Sequence, residues 1–134
     1  MQQSSTLHIV GRNGVSWDHD VNSATGADPL LILSEESNQL FVINGFDLSA
    51  LSTKSGQIQW SIEFDEPVWA GQLLYDERLL IHLELSIVCL KLTGEECWRY
   101  HHNDIITEVL IKDEALHMHD FEEQPFTLDL HTGN

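Results

Sequence analysis

Histidines are the side chains of this 134-residue chain that could most directly do chemistry, and there are eight of them. His117 and His119 lie two residues apart, so on a strand both would project from one face and could provide two zinc ligands. No motif identifies a third ligand. Strand alternation explains the pair equally as an exposed face opposite Leu116 and Met118. The sequence therefore predicts no metal site.

Signatures of nucleophilic catalysis are also missing from the sequence. The two cysteines, Cys89 and Cys97, flank a predicted turn, belong to no catalytic motif and are too few for a disulfide framework. There is no G-x-S-x-G elbow, and the glycines stand singly at turns, where they form no phosphate loop. We therefore expect a protein that is not an enzyme, with reduced cysteines and no cofactor.

The charge of the chain indicates a class of partner. Asp and Glu number 22 against 6 Lys and Arg, which leaves a net charge of -16. Such a surface repels nucleic acid and anionic membranes but attracts basic proteins and speeds their association. Solubility alone would also explain the excess. The N-terminus has no leader pattern and no apolar run approaches the roughly 18 residues of a membrane span, so we expect a cytoplasmic protein with a basic protein partner.

Internal repetition predicts the fold. Each repeat reads as an apolar strand, an acidic turn, a second strand, a third strand ending at a glycine, and a strand containing tryptophan. The apolar fraction of 42% suits one folded domain over residues 1–134. We predict an all-β protein of repeated four-stranded antiparallel meanders, propeller-like with about three blades and without long helices. The repeats cover about residues 29–66, 67–104 and 105–134.

The third repeat ends before a fourth strand. Near the N-terminus, Gly14 to Trp17 echoes the glycine-to-tryptophan segments of the other repeats, so residues 8–21 are expected to complete the last sheet and protect its edge. Three blades rarely close a ring. The sheets could therefore form an open or prism-like arrangement, or close across a homodimer with six blades.

Three sets of residues recur in register along the repeats: Ala50, Leu51, Gly56 and Trp60; Leu90, Thr93, Gly94 and Trp98; and Leu128, Asp129, Thr132 and Gly133. They resemble the quinoprotein-like (PQQ-like) propeller repeat, in which a strand reading A-L-D-x-x-T-G precedes a tryptophan. The resemblance covers about residues 29–134 and implies that Trp60 and Trp98 dock on the neighbouring blade. It does not bring quinone chemistry, because no calcium-centred site is found.

Two acidic rims follow from this arrangement of strands. The turn between the first and second strand of each repeat carries two adjacent acids, which we name the acidic-turn rim: Glu35, Glu36, Asp76, Glu77, Asp113 and Glu114. Glu95 and Glu96 would face the same way. Hairpin turns also carry solvated charges for no functional reason.

The opposite rim, which we name the aromatic rim, mixes acids with aromatic side chains. It comprises Asp47, Asp65, Glu66, Asp104, Glu122 and Glu123, with Phe46, Trp69, Tyr100 and Phe121. Aromatic anchors beside charges are typical of protein-binding patches, so this rim is the preferred candidate interface.

The expected function is therefore that of an immunity or antitoxin-type inhibitor. Its carboxylates would occupy the phosphate-binding site of a basic toxin, such as a cognate nuclease, and occlude it. The alternative is a propeller-repeat scaffold or assembly module.

Overall fold

Antiparallel β-sheets form the part of the chain that the structure describes. A computed structural model of the chain describes residues 29–134 in full, and residues 3–10 and 16–23 as paired strands. These residues form thirteen strands and no helix. The first sheet comprises β3 (Leu30–Ser34), β4 (Gln39–Asn44), β5 (Asp47–Ser52) and β6 (Ile58–Glu63). The second comprises β7 (Val68–Leu73), β8 (Arg78–Leu83), β9 (Ser86–Lys91) and β10 (Glu96–His101).

The third sheet contains three strands, β11 (Ile106–Lys112), β12 (Ala115–Asp120) and β13 (Pro125–Asp129). All three sheets are meanders, in which each strand pairs with the next along the chain. The predicted all-β, propeller-like architecture is confirmed. The tight turns at Gly56, Gly94 and Gly133 have positive φ angles of 75°, 91° and 73°, as predicted.

Two apolar clusters hold the three sheets together. Phe41 and Ile43 of the first sheet pack with Ile81 and Val88 of the second. The opposite face of the second sheet, including Ile87, packs against the third sheet in another cluster. Strands β8 and β9 are apolar on both faces because the second sheet lies between the other two.

The N-terminal strand does not complete the third sheet, contrary to the expectation. Instead β1 (Gln3–Val10) and β2 (Ser16–Ser23) pair with each other, from Gln3 opposite Ser23 to Val10 opposite Ser16. The two strands are close in sequence, whereas pairing of β2 with β13 would join strands about a hundred residues apart at a higher entropic cost. Gly14, on which the expectation also rested, lies outside the described residues.

The two end faces of this stack differ in polarity. On the third sheet, Leu116 and Met118 point into the core, while His117 and His119 lie on the other face with Glu108, as alternation predicted. On the face of the first sheet that points away from the second, Leu40 and Val42 are buried, whereas Leu31 and Leu33 of the edge strand β3 are 47% and 54% exposed.

Candidate protein-binding site

The contact between the first and second sheets is organised around one carbonyl. The Trp60 indole Nε1 donates to the Leu92 carbonyl at 2.9 Å, and the Gln39 amide Nε2 donates to the same oxygen at 2.9 Å. Gly94 lies under the indole, where an added Cβ would come within 2.9 Å of the Trp60 ring. We call these contacts of Trp60 and Gln39 with Leu92 and Gly94 the first joint.

The same arrangement recurs between the second and third sheets. Trp98 Nε1 donates to the Leu130 carbonyl at 3.0 Å, and Arg78 Nη1 donates to that oxygen at 3.1 Å. A Cβ on Gly133 would come within 2.5 Å of the Trp98 ring. We call this set the second joint. Each tryptophan therefore docks on the neighbouring sheet, as the repeat resemblance implied.

The three acidic turns lie at one end of these joints. Asn38 and Glu77 occupy equivalent places in the first two turns, with φ angles of 55° and 61°, and each N–H donates to a carbonyl three residues earlier. Tyr75, in the second turn, donates its hydroxyl to the Glu114 carboxylate of the third turn at 2.9 Å. This bond raises the pKa of Tyr75, because the Glu114 carboxylate favours the protonated phenol. The second and third turns are thus in direct contact.

A cavity of about 520 Å³ opens where the first and second turns meet. We call it the joint cavity, because Leu92 of the first joint is part of its lining. Its apolar lining is provided by Leu33, Leu73, Leu74 and Leu92, and its polar lining by Ser34, Glu35, Glu36, Tyr75 and Glu77. The arrangement combines an apolar surface with carboxylates, which suits a ligand with an apolar stem and a cationic head.

Several acids of the acidic-turn rim already have cationic partners. Asp76 lies 2.7 Å from Arg78 Nη2, and Glu95 and Glu96 pair with Lys91 and Arg99 at 3.2 and 3.0 Å. Within residues 29–134, neither Glu36 nor Glu77 forms an ion pair, and both are exposed. The carboxylates of this rim that form no ion pair within residues 29–134 therefore include Glu36 and Glu77, which line the joint cavity. Asp113 is exposed in the third turn.

The aromatic rim presents three of its four predicted aromatic side chains to solvent. Phe46, Trp69 and Phe121 are 37%, 43% and 70% exposed. Trp69 packs against the His82 ring at 5.7 Å between centroids. Tyr100 is partly buried, and its hydroxyl lies 2.7 Å from His102 Nδ1, so it is less accessible to a partner.

The acids of the aromatic rim divide into two groups. Glu66 accepts hydrogen bonds from the Leu85 N–H at 2.7 Å and the Ser86 hydroxyl at 2.6 Å, and Asp104 accepts one from the Ile105 N–H at 2.8 Å. These two carboxylates hold loops in place. The other four are exposed: Asp47, Asp65, Glu122 and Glu123.

A partly buried polar chain of Tyr100, His102 and Asp120 lies near this rim. His102 Nε2 lies 3.1 Å from Asp120 Oδ2, and the Tyr100 hydroxyl is hydrogen-bonded to Nδ1 of the same ring. Phe126 stacks on the His102 ring at 4.1 Å with an interplanar angle of 5°, which covers the imidazole. Hydrogen bonds from His102 and from the N–H groups of the following loop lower the pKa of Asp120. These contacts of His102 connect the second sheet with the third.

Metal binding has no geometric support in the part of the chain that the structure describes. No group of three or more His, Cys, Asp or Glu side chains there is placed to hold an ion. The same residues contain no helix long and apolar enough to cross a membrane.

Comparisons with known proteins identify the fold. No family model matches the chain, and no curated protein matches it. The computationally designed Ika4 protein aligns at a TM-score of 0.67 and 15% identity, over 81% of this chain and 70% of Ika4. BamB from Moraxella catarrhalis aligns at 0.59 and 14% identity, over 96% of this chain and 40% of BamB.

The N-terminal domain of Nup159 aligns at a TM-score of 0.59 and 13% identity, over 78% of this chain and 31% of that domain. The chain therefore spans well under half the length of these two natural proteins. BamB and Nup159 are propellers, and the likeness supports a propeller-like fold for this chain. At sequence identities this low, the likeness gives no information about the activity of this chain.

Proposed function

We propose that this chain is a non-enzymatic module that binds a basic protein through the acidic-turn rim. The observation that carries the proposal is the joint cavity, where exposed carboxylates from two turns surround an apolar lining. Apolar contact slows the dissociation of a complex, and carboxylates orient a partner of opposite charge. The combination therefore suits a protein surface rich in Lys and Arg.

The net charge of -16 supports the same partner class. A strongly negative surface raises the rate of encounter with a positive one, and this effect weakens as salt screens the charges. The aromatic rim was the preferred interface from the sequence. Two of its six acids hold loops in place, whereas Glu36 and Glu77 of the acidic-turn rim lie beside apolar surface and form no ion pair within residues 29–134.

The specific role that we propose is that of an immunity or antitoxin-type inhibitor. Carboxylates of the rim would replace substrate phosphates against the Arg and Lys side chains of a nuclease toxin, and the body of the module would occlude its active site. We also propose that the chain is a quinoprotein-like repeat protein, since both joints place a tryptophan on the glycine of the next sheet.

A partner test can separate the two rims. The chain is used as bait in an extract of its native host, and the recovered partner is then purified and titrated by calorimetry. We expect a basic partner whose affinity falls steeply between about 0.05 and about 0.5 M salt. The double variant Glu36→Gln/Glu77→Gln should weaken binding about tenfold, since each lost charge interaction contributes up to about 1 kcal/mol.

The matched control is Asp65→Asn/Glu122→Gln on the aromatic rim, which changes the net charge equally and should have a small effect. If the control weakens binding more than the first pair, the acidic-turn rim is the wrong surface. If a purified partner is acidic, or binds equally at both salt concentrations, the proposal fails.

An assembly module is the second candidate. Phe46, Trp69 and Phe121 are exposed on the aromatic rim, which is where a neutral or mixed partner could bind. A structural neighbour from S. cerevisiae was solved as a complex in which Dbp5 is bound to Nup159. Trp69→Ala would abolish binding in this case, and Glu36→Gln/Glu77→Gln would leave it unchanged.

A further inference from the structure

We propose that the joint cavity receives an arginine side chain from the partner protein. This inference rests on the proposed function and makes it more specific, because it names the group that is bound and the residues that bind it. The aliphatic stem would lie on Leu33 and Leu92, and the guanidinium would meet the carboxylates of Glu36 and Glu77.

The size and lining of the cavity fit such a side chain. At about 520 Å³ it is large enough for a long side chain together with water. Leu33 remains 54% exposed, so the free protein presents apolar surface at the entrance that a partner can cover. A bare metal ion would gain nothing from the leucines, whereas the stem of an arginine would bury them.

The second joint contains an intramolecular precedent for this arrangement. Arg78 inserts there between two sheets, where it donates to the Leu130 carbonyl at 3.1 Å and pairs with Asp76 at 2.7 Å. Gln39 begins the second strand of its sheet as Arg78 does, and it bonds to the equivalent carbonyl of Leu92. The first joint therefore repeats the geometry of the second with a neutral amide in place of the guanidinium.

Electrostatics in the cavity favour a cation from outside the chain. Lys91, which precedes Leu92, and Arg99 of β10 are paired with Glu95 and Glu96 at 3.2 and 3.0 Å. Arg78, which follows Glu77, is paired with Asp76 at 2.7 Å. Tyr75 is 77% exposed at the cavity and could stack its ring on a planar guanidinium. Planar charge, two carboxylates and an aromatic ring together favour arginine over lysine.

The test uses the full chain and a short peptide as probe. The peptide Ac-Gly-Arg-Gly-NH₂ is titrated at low salt while leucine methyl resonances are followed by NMR. We expect saturable shifts at Leu33, Leu73 and Leu92 but not at the distant Leu128. The citrulline peptide, which is isosteric but uncharged, should bind at least about fivefold more weakly, since the ion pairs are lost.

Matched variants separate the apolar and acidic contributions. Leu33→Ser should weaken binding of the arginine peptide about threefold, because it removes apolar contact. Leu31→Ser is the control, because Leu31 lies two residues earlier on β3, is 47% exposed and does not line the cavity. Gln39→Arg would place the protein's own guanidinium at the first joint and should reduce peptide binding. Equal effects of Leu31→Ser and Leu33→Ser would overturn the inference.

The outcomes distinguish this inference from the proposed function. If the arginine peptide leaves all four cavity leucines unshifted, or if the lysine peptide Ac-Gly-Lys-Gly-NH₂ binds more tightly, the arginine assignment is wrong. If Glu36→Gln/Glu77→Gln nevertheless weakens binding of the protein partner in a salt-dependent way, the proposed function stands without the arginine assignment.

Discussion

The two joints are built to one plan and differ in a single partner. In both, a tryptophan lies on a glycine of the next sheet and shares a leucine carbonyl with a second donor. That donor is Gln39 in the first joint and Arg78 in the second. The second joint therefore contains its own cation, whereas the first opens into a cavity where Glu36 and Glu77 form no ion pair within residues 29–134. We infer that the second joint serves stability and the first serves binding.

The largest difference should appear when the tryptophans are truncated. Trp98 is 8% exposed and Trp60 is only partly buried, so Trp98 removes more apolar area from water. Trp98→Ala should lower the free energy of unfolding by about 3–5 kcal/mol, and Trp60→Ala by less. Urea denaturation of both variants checks this expectation. Equal losses would mean that the joints contribute equally and would break the comparison.

Exchange of the second donors provides the next test. Arg78→Gln gives the second joint the residue of the first, and it removes charge-assisted bonds to Leu130 and Asp76. We expect a loss of about 2 kcal/mol in the free energy of unfolding. The reciprocal variant Gln39→Arg should not destabilise the fold by this amount, since Glu36 and Glu77 can accept the new charge. A larger loss for Gln39→Arg than for Arg78→Gln would contradict this view.

A smaller change in stability, here an increase, is expected when Glu77 is replaced. Its φ of 61° lies in the left-handed region, which favours Asn over Glu, and Asn38 occupies the equivalent place in the first turn. Glu77→Asn should therefore raise the free energy of unfolding by about 0.5–1 kcal/mol while it weakens partner binding. The two readouts are denaturation and calorimetry. A variant that is less stable, or that binds the partner more tightly, would show that Glu77 is not retained for binding at a cost in stability.

Repeats, turn glycines and docking tryptophans could be predicted from the sequence because each depends on local spacing or on backbone conformation. The donors at the joints could not. Gln39 and Arg78 reach carbonyls 53 and 52 residues away, and neither residue belongs to the repeat motif. The acidic turns were predicted, but the cavity beside them depends on how two sheets pack. The prediction that the N-terminal strand completes the third sheet rested on a similar glycine-to-tryptophan segment. It was wrong, because β2 pairs with its neighbour β1.

The connections that follow β6 and β10, outside the joints, differ in their response to acid. Phe64 and His102 occupy equivalent connections, where their N–H groups donate to Phe46 and Leu85 respectively. Phe64 cannot titrate, whereas His102 bonds to Asp120, and that bond is the main cause of the lowered pKa of Asp120. A carboxyl whose pKa is lower in the folded state stabilises the fold above its ordinary pKa. This contribution is lost as the pH falls through the lowered folded-state value.

We therefore expect the free energy of unfolding of the natural chain to fall on acidification below about pH 4, and Asp120→Asn to flatten part of that decline. Urea denaturation at a series of pH values measures both slopes. His102→Phe, which imports the residue of the first connection, should flatten the decline as well, because it removes the hydrogen bond that lowers the pKa of Asp120. If both variants keep the slope of the natural chain, acid sensitivity arises elsewhere, and the two connections do not differ in this respect.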